Sequence, residues 1–385
     1  MLSSTRFAQG KRRPANCVCS RTGCTHNRED RLRRVGALDA IRGLLILYVI
    51  SVIHGLFWLN LVPQWAASWL LFGMPEIFMV SGYSYYLYER SRSERGIDLL
   101  NGKQYVSFLF ARSTRILVPY FVYAISSIVL IAVLPLVKQS PRYAPIDLIP
   151  AWLDPFRFGT NYTAEMLNWQ LWFVPVFLLI SAALPIATRF RPLKNPSLLL
   201  LVIVVTVVEF LLTGLHFSGD RLIKETIFYL LFAVLGYYLA RSRDYFQRIN
   251  FGVIALFSAA MLALIILFSN DPNAANMQAN KFPPTHIFFL FSCFWISLFL
   301  FIGSRTTAWV QGLDRLGRTF WLKPFVHYGY SIYLWQGIGY TVAVIIGQMI
   351  NLPTLLVWLL AIGLSVVLGM IAGPAEKIRW HLPIG

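Results

Sequence analysis

The sequence predicts an all-α polytopic membrane protein, and three observations carry that reading. Apolar residues (AVILMFWYC) make up 57% of the 385 positions and charged residues 13%. A typical soluble chain is about 45–50% apolar and about 25% charged, so no globular surface could cover this much apolar material. The apolar residues gather into stretches of about 20, the length a helix needs to cross a hydrocarbon core of about 30 Å. Those stretches lack the roughly 10-residue alternation of outer-membrane strands, and helices satisfy their own backbone groups inside lipid. A water-soluble enzyme is excluded.

Ten spans are expected, over 38–61, 65–88, 116–137, 168–188, 197–215, 226–240, 251–269, 285–303, 325–350 and 354–373. An even number places both termini on one side. With the N-terminus, the even-numbered exits and the C-terminus inside, 28 of the 34 Lys and Arg fall on the cytoplasmic side and six on the other. Cytoplasmic loops retain positive charge during insertion, so the bundle reads as N-in and C-in. The net charge of +17 is then a matter of topology and of anionic lipid headgroups, and no nucleic-acid partner is implied.

Residues 1–36 are polar and basic without an apolar run, so they read as a cytoplasmic tail with the first span as signal anchor. Residues 37–375 form one transmembrane domain, and 376–385 a short cytoplasmic end. Cys17, Cys19, Cys24 and His26 make a C-x-C-x4-C-x-H pattern. C-x-C leaves little room for the turn between paired ligands, so no metal site is expected. The longest exterior connection, 138–167, mixes Pro, aromatic and acidic residues in the manner of a lid or ligand rim, and carries the sequon Asn161-Tyr162-Thr163.

Ionisable residues inside spans are costly and therefore mark candidate sites. Arg42 and His54 share the first span, Glu76 lies in the second, Arg112 and Arg115 stand i, i+3 at the start of the third, and Glu209 lies in the fifth. His216, His286 and His327 fall at span ends, where water can satisfy them. Asp39 suits an N-cap. Two guanidiniums on one helical face can clamp phosphates bidentately. Pro75 is expected to kink the second span, and Gly82 to admit a close neighbour. Glu76 is a candidate to orient or charge-balance His54 or Arg42.

Five segments, LDAIRG with a following His, EIFMVSGYSYYL, RSTRILVPY, NWQLWFVPVFLL and YSIYLWQ, together resemble the acyltransferase-3 family, occurring in its order across most of the domain. PEIFMVSGYSYYLYER is especially similar to the OpgC-like branch associated with succinylation of periplasmic glucans. The resemblance implies a bacterial inner-membrane enzyme that moves an acyl group from cytoplasmic acyl-CoA to a hydroxyl, commonly of a carbohydrate, on the far side. It implies that His54 is the catalytic base and that Arg42, Arg112 and Arg115 hold the CoA phosphates. The family's S-G-Y segment maps to Ser81, Gly82 and Tyr83.

One departure stands out. The family pattern places ten residues between the arginine and the histidine, whereas Arg42 and His54 enclose eleven. At about 100° per residue, eleven steps bring two side chains within about 20° of one face, while twelve separate them by about 120°. A π-bulge between Gly43 and His54 would absorb the extra residue.

Acyl transfer needs a base for the attacking hydroxyl and a donor for the oxyanion. Histidine suits the first, and Ser81, Tyr83, Trp172 and Gln336 are candidates for the second; no metal is required. Trp152, Trp169 and Trp172 suit either sugar stacking or the membrane interface. Tyr330, Ser331, Tyr333 and Trp335 are placed to line a cavity or to pack. If the acyl group carries a free carboxylate, an additional cation is expected near the pocket. The competing class is a secondary transporter or flippase, which buried acids and broken helices would also serve.

Overall fold

The computed structural model describes residues 36–99, 101–138, 152, 154–156, 165–189, 203–208, 221–242, 246–305 and 307–378. The cysteine-containing tail, the Asn161 sequon, Glu209 and His216 lie outside them. The described chain is helical: α1 Gly36–Trp58, α2 Gln64–Ser68, α3 Gly73–Ser93, α4 Gly102–Lys138, α5 Phe173–Ala187, α6 Arg221–Arg241, α7 Phe251–Phe268, α8 His286–Arg305, α9 Thr307–Gly317, α10 Lys323–Met349 and α11 Thr354–Ala372. Short 3-10 turns, Glu165–Leu167 and Trp169–Trp172, lead into α5, and a third, Gly373–Lys377, follows α11.

Seven of the described segments are long and apolar enough to cross a membrane: α1, α4, Trp169–Ala187, α6, α7, α8 and Thr354–Lys377. The more polar α3 and α10, of 21 and 27 residues, also reach the length a crossing needs. Leu256, Leu267, Phe268 and Ile371 turn outward from the bundle, as side chains facing lipid must.

Two elements depart from the sequence expectation. The apolar run 65–88 is not one helix: α2 ends at Ser68, a turn follows, and α3 begins at Gly73. Pro75 therefore stands in the first turn of α3, where its missing N–H has no intrahelical acceptor to lose, and it does not kink the helix. The third span begins earlier than its apolar run, at Gly102, where Tyr105 Oη donates to the Ala182 carbonyl at 2.7 Å. Arg112 and Arg115 thus lie well inside α4 rather than at its entry.

Close approach replaces the hydrophobic effect as the binding force between helices in lipid. A Cβ on Gly82 of α3 would stand 1.7 Å from the Ala233 carbonyl oxygen of α6, and one on Gly236 of α6 would stand 1.8 Å from that of Met79. Each glycine seats the other helix's backbone. In α10, Tyr328 leaves helical geometry (φ −130°, ψ 25°), and this kink comes just before Tyr330 and Tyr333.

The extra residue of α1 is accommodated as the spacing predicts. Val49–His54 forms a six-residue π-helical turn. Its carbonyls are taken from outside the helix: Tyr340 Oη of α10 donates to the Ile50 carbonyl at 2.7 Å, and Trp358 Nε1 of α11 to that of Ser51 at 2.8 Å. Gly55 follows because a Cβ there would meet Trp358 Nε1 at 2.2 Å.

Candidate active site

Three basic side chains from two helices line one cavity of about 230 Å³: Arg42 of α1 with Arg112 and Arg115 of α4. The i, i+3 spacing of the latter pair puts both on the face that α1 and α3 complete. Arg42 bonds Asp39 at 3.2 Å and the Ser84 hydroxyl. Arg112 donates to Ser81 Oγ at 3.3 Å and lies over the Phe177 ring at 5.1 Å. Glu376, from the turn after α11, lines the same cavity and accepts from the Ser331 backbone N–H.

The cavity runs from these charges to an apolar and aromatic end formed by Met74, Phe173 and Tyr333. Beyond Tyr333 stands His54, the two ring centroids 6.3 Å apart. The His54 ring stacks on Trp58 at 4.3 Å with 7° between the planes. Its Nδ1 pairs with Gln336 Oε1 at 2.7 Å. With the amide oxygen as acceptor, Nδ1 carries the proton, and Nε2 is left to accept one. His54 therefore faces α10, inside the bundle.

Residues 35–373 match a family model described as an acyltransferase domain. The chain belongs to the acyltransferase-3 family. No curated protein and no solved structure gives a match to it.

Arg42, which lines the cavity, and His54, which ends the π turn of the same helix, have eleven residues between them. The second arginine pair shares a cavity with the first of these residues. Of the four candidate oxyanion donors, Gln336 alone contacts His54, and the contact is one that orients the ring. Ser81 lines the cavity, whereas Tyr83 does not. Two steps of about 100° put Tyr83 on the opposite face of α3 from Ser81.

Glu76 is buried at 4% exposure, and among the described residues neither carboxyl oxygen has a hydrogen-bond partner, so no hydrogen bond ties it to His54 or Arg42. Tyr330 and Tyr333 line the cavity; Tyr330 Oη donates to the Ile116 carbonyl at 3.1 Å and Tyr333 Oη to that of Gln170 at 2.9 Å. Trp335 and Trp152 pack beside Tyr123. Gln170 of the NWQLW segment is a buried tether, its amide donating to Tyr123 Oη at 3.0 Å and to the Leu334 carbonyl at 3.2 Å.

Three participants escape the sequence reading. Ser84 and Glu376 look there like ordinary residues of a helix and of a basic tail end. Lys281 belongs to the connection between α7 and α8, which carries no motif, yet it is buried at 5% exposure over the ring of Trp172. Burial pushes its ammonium down to about 7, with Glu225 opposing the fall and Arg221 adding to it.

Proposed function

We propose that this membrane acyltransferase takes an acetyl or succinyl group from cytoplasmic acyl-CoA and delivers it to a hydroxyl of an extracytoplasmic carbohydrate in a bacterial inner membrane. The observation that carries the reading is the cavity that Arg42, Arg112 and Arg115 line at one end and Tyr333 at the other, with the Tyr333 ring 6.3 Å from that of His54. Three guanidiniums suit the phosphates of CoA, since planar forks pair with phosphate oxygens two at a time. At about 1.5 Å per residue, twelve positions of helix separate Arg42 from His54 by about 18 Å, so one extended ligand can lie between them. The donor then enters phosphates inward, with its thioester leading toward His54.

His54 Nε2 takes the proton of the attacking hydroxyl as the new C–O bond forms at the thioester carbonyl. Collapse of the tetrahedral intermediate breaks the C–S bond, and the imidazolium returns its proton to the departing thiolate. Transfer is direct within a ternary complex, and no acylated enzyme accumulates when the acceptor is withheld.

The test is acyl-CoA binding and turnover by the purified protein in nanodiscs. Arg115→Ala should weaken CoA binding about tenfold or more, the value of a lost charge-assisted contact. His54→Ala should bind CoA and lose about 10²–10⁴ in kcat. If the wild-type protein binds no acyl-CoA, the donor assignment falls and the transporter class takes its place.

A further inference from the structure

The far side of His54 holds a charge that the reaction above leaves unused. Lys281 is 5% exposed, and its Nζ lies 5.1 Å from the Trp172 ring centre and 4.7 Å from that of Phe282. The acid that acts on it, Glu225, is buried at 3% exposure and is already paired with Arg221 at 2.7 Å. Arg221 also lies over the Phe282 ring, at 4.7 Å. Among the described residues no ion pair or hydrogen bond to Lys281 Nζ is formed. Among the described residues Lys281 is thus a buried ammonium without an ion pair of its own, beside the Arg221–Glu225 pair.

Position gives that charge its meaning. Trp172 packs edge-on against Phe173 at 6.4 Å, Phe173 against Tyr333 at 5.4 Å, and Tyr333 stands 6.3 Å from His54. The ammonium is therefore a neighbour of the reaction centre, on the side away from the three arginines that line the cavity. An isolated buried ammonium is costly unless something pairs with it, and aromatic faces replace only part of its lost hydration. A neutral sugar hydroxyl would leave the charge unbalanced.

We propose that Lys281, held between Trp172 and Phe282, is a subsite for one compact anionic group, a carboxylate or a phosphate, carried by a reactant that meets its partner at His54. The inference rests on His54 as the reaction centre. The anion has two possible carriers, the distal end of the acyl group or a substituent of the acceptor. The phosphates of CoA are a separate matter, served at the other end of the cavity.

The test compares wild-type protein in nanodiscs with Lys281→Met and Lys281→Arg, using succinyl-CoA and its uncharged four-carbon analogue butyryl-CoA. If the acyl group carries the anion, wild type prefers succinyl-CoA in kcat/KM, and Lys281→Met lowers the succinyl-to-butyryl ratio about tenfold or more while Lys281→Arg retains it. If the acceptor carries it, the donor ratio stays flat, and inorganic phosphate or free succinate inhibits butyryl transfer in wild type but not in Lys281→Met. Calorimetric binding of succinate and phosphate, with no acyl-CoA present, reads the subsite independently of turnover. Binding by wild type and its loss in Lys281→Met would uphold the subsite even if no acyl-CoA were turned over, which would defeat only the acyltransfer reading. Anion binding that wild type lacks or that survives Lys281→Met, together with a donor ratio unmoved by Lys281→Met and no anion inhibition that the substitution relieves, overturns the proposal. Should Lys281→Met fail to fold, Lys281→Gln, which also removes the charge, takes its place in every arm.

Discussion

Gln336 is placed to set the protonation of His54. Its Oε1 holds Nδ1 at 2.7 Å, and its Nε2 is buried with no hydrogen-bond partner among the described residues. Removing the acceptor frees the ring to rotate about Cβ and to exchange tautomers, and both cost turnover rather than binding. Gln336→Leu should therefore lower kcat about tenfold or more with the KM for acyl-CoA unchanged, since a general base is worth about 10²–10⁴ in all. Gln336→Glu should restore most of kcat and move the basic-form limb of the pH profile upward, because a carboxylate stabilises the imidazolium. A merely structural role would move neither the profile nor the kcat-against-KM split. This pairing is not legible in the sequence: 282 positions separate the two residues, and a glutamine in YSIYLWQ looks like any polar residue of a span. Lys281 and Glu376 are hidden for the same reason, since their roles come from what the fold brings to them.

At the scale of the element, the π turn makes the clearest prediction. An extra residue absorbed as a π turn can be removed with the helix relaxing to ordinary α geometry. Deleting Ser51 should leave acyl-CoA binding intact and kcat within about tenfold of wild type, with some loss because Trp358 loses its carbonyl partner. Inserting one alanine after Ser51 should turn His54 by about 100° and reduce kcat to the level of His54→Ala, with binding retained. Equal damage by deletion and insertion would show that the turn does not set the register. The bulge is legible because Arg42 and His54 enclose one residue more than the family pattern that the segment resembles. The start of α3 is not, because WAASWLLF is as apolar as the helix it precedes, and the misplaced boundary turned Pro75 into an expected kink. Gly82 is legible as a small residue, and its partner Gly236 is known only from the structure. Gly82→Ala, with its Cβ 1.7 Å from a backbone oxygen, should force α3 and α6 apart and cost about 1–3 kcal/mol, read as a lower unfolding midpoint in detergent.

Across the whole molecule, positive charge is disposed at two depths around His54: the three arginines of the cavity at one end, and Lys281 with the Arg221–Glu225 pair at the other. The two groups differ in kind. Guanidinium stays charged at any pH the protein meets, whereas Lys281, with its ammonium pushed down to about 7 by burial, is charged below that value and increasingly neutral above it. Among the described residues, Glu225 and Arg221 from α6 are the charged groups that shift it. Anion recognition at Lys281 should therefore be strongest below pH 7 and fade as pH rises through it, while phosphate binding by the arginines stays level. Overall turnover will not isolate the effect, because His54 must itself be unprotonated to act as a base and so favours higher pH. The ratio of kcat/KM for the anionic reactant to that for its uncharged analogue cancels the His54 contribution, since both reactions use the same base. That ratio should fall between about pH 6 and pH 8.5 in the wild-type protein and stay level in Lys281→Arg, whose charge does not titrate there. A level ratio in wild type, or the same decline in Lys281→Arg, would mean that the ammonium of Lys281 meets no anion during the reaction.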